Sequence, residues 1–225
     1  GHPNPGTSYT TVNIDGSNHI FSSTEQTFTD SLLLSSISSQ NLGNVKVKQQ
    51  LKIVRNFSTG REDTVEIKYI VENNDNIPHD VGLRVMMDTM LGNNDAAPFR
   101  IPGIGEVTTE REFSGENIPQ YWQAFDSLIN PTVSAQGTLF TLSSNKPDKV
   151  QFTNWGNVYN INWNYFVRPN NRNGDSAVSI YWNPKVLNPG ETEEFVTYYG
   201  LSNFYQMIEN PFSLSVAGPE SVELT

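Results

Sequence analysis

The chain has 225 residues, a net charge of −10 and no cysteine. Disulfides, thiolate metal sites and cysteine nucleophiles are therefore excluded, and at this length a single core can bury roughly 70% of the unfolded surface without a staple. Nine of the fourteen basic residues fall between Lys46 and Arg111, none precedes Lys46 or follows Lys185, and they form no cluster, which argues against nucleic acid and anionic membrane as partners; no run approaches the ~20 apolar residues of a spanning helix, so no membrane insertion is expected.

Gly1-His2-Pro3 reads as the start of an excised segment. Residues 1–8 are assigned to a linker or tag remnant and 9–225 to a single β-sandwich domain, with neighbouring domains expected in a larger precursor. Residues 9–14 alternate and meet Asp15-Gly16, a strong hairpin signal, and His19-Ile20-Phe21 returns. Residues 25–31 and 32–37 hold β-formers among serines and read as short strands. Residues 45–57 form a long strand, turned at Ser58-Thr59-Gly60 into residues 64–72, where Val65, Ile67, Tyr69 and Val71 occupy every second position; one face meets a core and the other water. Asn73-Asn74-Asp75-Asn76 and Pro78 stop this strand. Residues 81–87 are apolar without strict alternation, the pattern of a strand buried on both faces.

Residues 104–113 predict a strand with an acidic outer face. Residues 116–127 are the best helical candidate, with Pro119 near the start and Tyr121, Phe125 and Leu128 on one face, although a loop fits nearly as well. Residues 138–143 predict a strand, 150–167 an aromatic-rich stretch, 177–182 a strand closed by Asn183-Pro184, 193–201 the last major strand, and 212–216 a short final one. A dozen or more strands with at most one or two short helices predict an all-β fold: a large two-sheet antiparallel β-sandwich. Two smaller sandwiches divided near residues 115–135 are the alternative.

Val81-Gly82-Leu83-Arg84, Asp88-Thr89, Asn94-Asp95, Pro98-Phe99 and Tyr198-Tyr199-Gly200-Leu201 give the chain a resemblance to bacterial and archaeal cell-surface modules. It also resembles, in part, the two-sheet supersandwich of galactose-mutarotase-like domains. The resemblance implies a secreted or cell-surface, carbohydrate-associated setting, which the Ser-, Thr- and Asn-rich ends fit. The paired histidines and glutamate of mutarotase catalysis do not carry over, because the chain holds only His2, His19 and His79.

Three constellations bear on chemistry. Asp88, Asn93, Asn94 and Asp95 gather hard oxygen ligands where a buried strand leaves the core, a composition suited to structural calcium, although the EF-hand spacing is absent and Asx residues also serve tight turns. Tyr121, Trp122 and Trp155 stand among Asn, Gln and Pro, the mixture that stacks a pyranose face while bonding its hydroxyls; core packing is the competing reading and is favoured for Trp163 and Trp182. Glu106, Glu110, Glu112 and Glu116 could pair for glycoside chemistry, but a solvated strand face explains them more simply, and Asp80 beside His79 reads as turn chemistry. Zincin, nucleophile-elbow, phosphate-loop and dinucleotide patterns are absent. No catalytic residue is assigned. The sequence reads as a non-catalytic extracellular module that binds polysaccharide or supports a carbohydrate-active or surface assembly. The alternatives are a structural or adhesive domain with a cell-surface protein partner and, third, a carbohydrate-active enzyme.

Overall fold

The computed structural model describes residues 5–22, 28–30, 34–56 and 59–202. In chain order the strands are β1 (Tyr9–Ile14), β2 (Ser17–Ile20), β3 (Phe28–Asp30), β4 (Ser35–Leu42), β5 (Val45–Val54), β6 (Thr64–Asn73), β7 (His79–Asp88), β8 (Phe99–Ile101), β9 (Gly105–Val107), β10 (Arg111–Ser114), β11 (Tyr121–Phe125), β12 (Ser134–Thr138), β13 (Lys149–Asn154), β14 (Ser176–Leu187) and β15 (Thr192–Leu201). The one α-helix among the described residues, α1 (Trp155–Val158), is a single turn. The strands form a six-stranded sheet, β10-β13-β14-β7-β1-β2, and a nine-stranded sheet, β3-β4-β5-β6-β15-β12-β11-β8-β9, with every pairing antiparallel. The fold is a two-sheet antiparallel β-sandwich.

Alternation explains the layering. Val12, Leu83, Val85, Phe152, Val178, Ile180 and Trp182 of the smaller sheet meet Val45, Val47, Tyr69, Val71, Phe99, Trp122 and Phe195 of the larger in one core. The Asp15-Gly16 turn takes φ of 51° and 80°, the primed geometry whose twist matches its flanking strands. β5 and β6 make the long hairpin anticipated from sequence. β14 continues past Trp182 through Pro184 to Leu187 by shifting register there. Gly82 is required beside that irregularity: a Cβ on it would lie 2.8 Å from the Pro184 nitrogen.

β7 is buried on both faces, as its composition predicts, because residues 155–168 cover the outer side of the smaller sheet. Met86, Ala177, Val158 and Tyr165 form a second small core there. Arg84 lies fully buried in it, between the rings of Tyr9 and Tyr181 at 5.7 and 5.6 Å. It donates to Tyr9 Oη, Ser179 Oγ and the Ile161 carbonyl, so its charge is spread over neutral acceptors and ring faces.

Two expectations are corrected. The helix anticipated over 116–127 is strand β11, since Trp122 and Ala124 are drawn to the core and the backbone is claimed by β12 and β8. The strand anticipated over 104–113 is two short ones, β9 and β10, lying in different sheets. Thr7 and Ser8 are tied to the sandwich: Ser8 Oγ accepts from the Asp88 amide at 2.9 Å and the Thr7 carbonyl from Trp155 Nε1 at 2.9 Å. The strand anticipated over 212–216 lies outside the described residues. No helix among the described residues is long and apolar enough to cross a membrane.

Candidate functional site

β11 separates the two aromatic residues that sequence reading grouped together. Trp122 points inward and is fully buried, with Phe99, Tyr199 and Phe152 ring centroids at 5.5, 5.8 and 5.9 Å. Its β12 partner is Gly137, and a Cβ there would sit 2.2 Å from the indole. Trp122 is a core residue and offers no surface to a ligand. Trp155 opens α1 on the far side of the molecule, its ring 4.3 Å from Tyr159; it packs residues 5–7 against the smaller sheet. Tyr121, Trp122 and Trp155 therefore do not form one site.

Tyr121 does lie on the outer face of the larger sheet, where it is half-buried and its hydroxyl pKa is raised by burial, while Gln123 and Phe125 on the same face of β11 are buried. Strand register gives it company. Tyr121 pairs with Thr138, Thr138 with Tyr198, Tyr198 with Glu66, and Glu66 with Lys52, which makes one cross-strand row on a single face. All five side chains are half-buried. Burial pushes the Tyr198 hydroxyl up, and the Glu66 carboxylate beside it pushes in the same direction. The inward neighbouring row is Trp122, Gly137 and Tyr199, which fixes the outward orientation of Tyr121 and Tyr198. The sequence marked Tyr198 only as part of the resemblance, not as a binding residue. Its strand alternates plainly, but which parity faces out depends on register with β12 and β6.

The oxygen-rich corner is only partly the one anticipated. Asp88 ends β7, Asp95 lies in the following loop, and Asp175 immediately precedes β14. One carboxylate oxygen from each lies within 4.8 Å of the others. Backbone bonds hold the corner: the Thr89 amide donates to the Ser176 carbonyl at 2.9 Å, the Ser176 amide to the Asp95 carbonyl at 2.8 Å, and the Trp155 amide to the Asp175 carbonyl at 2.6 Å. Like charges this close repel by roughly 3 kcal/mol per pair at an effective dielectric near 20. Asp95 Oδ1 is buried and accepts no hydrogen bond from any described residue. Three hard oxygen donors with a buried acceptor among them suit calcium or magnesium. Asn93 is exposed, and Asn94 secures the turn, donating to the Asp126 carbonyl at 2.8 Å and accepting from the Ala96 amide at 2.9 Å.

The remaining carboxylates have structural work. Glu110 is almost wholly buried and accepts from Asn157 Nδ2, Tyr165 Oη and the Arg168 amide, each at 2.7 Å, plus the Asn154 amide at 3.4 Å. It ties down residues 154–168, and desolvation together with this carboxylate pushes the Tyr165 hydroxyl up to about 12. Glu112 is exposed and accepts from Gln151 at 2.7 Å. His79 stands between Asp15 at 2.7 Å and Asp75 at 3.3 Å.

No family model and no curated protein matches the chain. Solved structures do. An alpha-galactosidase from Geobacillus stearothermophilus matches at 10% identity with a TM-score of 0.47, covering 86% of this chain and 29% of its own. A galactose mutarotase-like protein from Lactobacillus casei matches at 9% identity and 0.42, covering 75% of this chain and 69% of its own. A copper-containing benzylamine oxidase from Hansenula polymorpha matches at 9% identity and 0.47, covering 79% and 40%. The chain thus spans under a third of the alpha-galactosidase it matches. Galactose-mutarotase-like proteins, which the sequence resembles in part, are among these structures.

Proposed function

We propose that this chain is a non-catalytic β-sandwich module, secreted or carried on a cell surface, that binds polysaccharide through the outer face of its nine-stranded sheet. The observation that carries this reading is the row in which Tyr121 and Tyr198 flank Thr138 with Glu66 and Lys52 beyond. Two half-buried phenol rings offer apolar area at little entropic cost, and the hydroxyl, carboxylate and ammonium beside them offer hydrogen bonds to sugar hydroxyls. Glu110, one of the four glutamates that could pair for glycoside chemistry, has its oxygens committed to four donors, which favours binding over turnover. Calcium held by Asp88, Asp95 and Asp175 has a structural part in this reading: it joins the end of β7 to the start of β14.

The test is retention on a panel of insoluble and soluble polysaccharides. Wild type is retained on at least one, and Tyr121→Ala and Tyr198→Ala each weaken retention about tenfold or more, in line with the worth of a lost aromatic contact, on the order of 1–2 kcal/mol. Absence of retention across the panel, with calcium present and at low salt, would sink the proposal and leave the structural or adhesive alternative.

A further inference from the structure

Resting on the reading above, the geometry points to the class of glycan: we infer that the Tyr121–Thr138–Tyr198 row binds a neutral, extended, β-1,4-linked chain lying across the strands. Tyr121 and Tyr198 sit on β11 and β15 with one strand, β12, between them, and direct register places their Cα atoms about two strand spacings apart, roughly 9–10 Å. In a β-1,4-linked glucan or mannan each sugar is flipped relative to the last. Alternate sugars therefore present the same face along a straight line, one disaccharide repeat apart. The Cα spacing is close to that repeat. An α-1,4-linked chain coils and brings successive sugars round at an angle, so it matches two tyrosines set in line across neighbouring strands less well.

The residue between the rings fits the intervening sugar. Thr138 is short, and its hydroxyl accepts from Gln136 Nε2 at 3.3 Å, which leaves its own proton to donate. Charge on this face argues for a neutral partner. Lys48 pairs with Glu72 and Lys68 with Glu194, while Glu66 lies opposite Lys52 in register. With Lys46, on the same face and opposite Glu72, β5, β6 and β15 present four lysines against Glu66, Glu72 and Glu194, an excess of one that is too small to hold a uronate chain, and no excess of carboxylate to hold an amino sugar polymer.

The experiment is calorimetric titration of the whole chain with cello- and manno-oligosaccharides, malto-oligosaccharides of the same lengths, and an oligogalacturonate. The expected result is binding of a β-1,4 series that strengthens from dimer to tetramer, at least tenfold tighter than the α-1,4 series of equal length. Salt should leave it almost unchanged, and Tyr121→Ala or Tyr198→Ala should weaken it tenfold or more. Tyr121→Phe and Tyr198→Phe, which keep the ring and the packing, should stay within about threefold of wild type, so a loss confined to the alanine variants is not a folding defect. Equal or tighter binding of malto-oligosaccharides or of the uronate, or β-1,4 binding indifferent to both tyrosines, overturns this inference while the broader polysaccharide reading survives. If no oligosaccharide in the set binds, the inference falls; retention of the protein on any polysaccharide of the wider panel then shows whether the module reading falls with it.

Discussion

Adjacent residues on a strand have opposite fates, and Tyr121 and Trp122 show how far a sequence can go in assigning them. The presence of two large aromatics after Ile118-Pro119 was visible, and so was their polar company. Which one faces solvent was not, because period-2 alternation fixes relative orientation only and register fixes the rest. The deciding residue is Gly137, sixteen positions from Tyr121 along the chain yet directly opposite Trp122. The indole crosses the backbone where Gly137 lacks a side chain and meets Tyr199 beyond it. Gly137→Ala is therefore expected to destabilise the fold by about 1–3 kcal/mol or more through overpacking, read as a lower urea midpoint at an unchanged slope. A midpoint equal to wild type would mean that the ring has room to move. The same packing makes Trp122→Ala an unsuitable probe of binding: it removes a fully buried indole at a cost of about 3–5 kcal/mol, and any loss of ligand would reflect loss of structure.

At the level of elements, the acidic corner joins a strand end to a strand start that are distant in sequence. Asp88 and Asp95 were legible because they lie within eight residues of each other beside Gly92. Asp175 was not, because only the pairing of β14 with β7, which sets Ala177 opposite Asp88, brings it near. Asn is as good a turn former as a ligand, and Asn94 serves the turn, bonded to the Asp126 carbonyl and the Ala96 amide. A cation bound only by the folded state stabilises it by about 2.7 kcal/mol at a hundredfold excess over the dissociation constant, or roughly 5–10 °C in melting temperature at this size. Calcium is expected to raise the melting midpoint by that order and chelator to reverse it. Asp175→Asn should show the opposite pattern, melting higher than wild type in chelator, because one repulsive charge is gone, and failing to gain from calcium. A wild-type midpoint indifferent to both calcium and chelator removes the ion from the account.

Across the whole molecule, the class of fold was readable because alternation, turn residues and the absence of long helical periodicity all agree. Val65, Ile67, Tyr69 and Val71 announce their sheet locally, and the long β5–β6 hairpin needs no distant information. The arrangement of sheets was less accessible: the segment after β6 carries the chain from the larger sheet to the smaller, and β15 returns to lie between β6 and β12, both consequences of which faces must be buried together. The first of these crossings carries a pH-dependent clamp. His79, at the start of β7, contacts Asp75 in the crossing segment and Asp15 in the β1–β2 turn. The hydrogen bond to Asp15 raises the His79 pKa above its ordinary 6.5; desolvation opposes it, and the weaker bond to Asp75 adds to the rise. The Asp15 carboxyl is lowered from 3.8, chiefly by His79, and that of Asp75 chiefly by Asn44. A raised histidine stabilises the fold fully below its unfolded value and loses that contribution as pH climbs through the folded value; lowered carboxyls contribute above their unfolded value and lose it as pH falls. The clamp is thus complete between about pH 4 and 6.5 and weakens above that window as His79 gives up its proton. His79→Gln keeps a polar side chain of similar reach and removes the titration. Its melting midpoint should lie below wild type at pH 5.5 and converge on it by pH 8.5, because only the protonated imidazole distinguishes the two. A gap of equal size at both pH values would show that His79 contributes packing alone and that the charge on its ring does not bind the two sheets together.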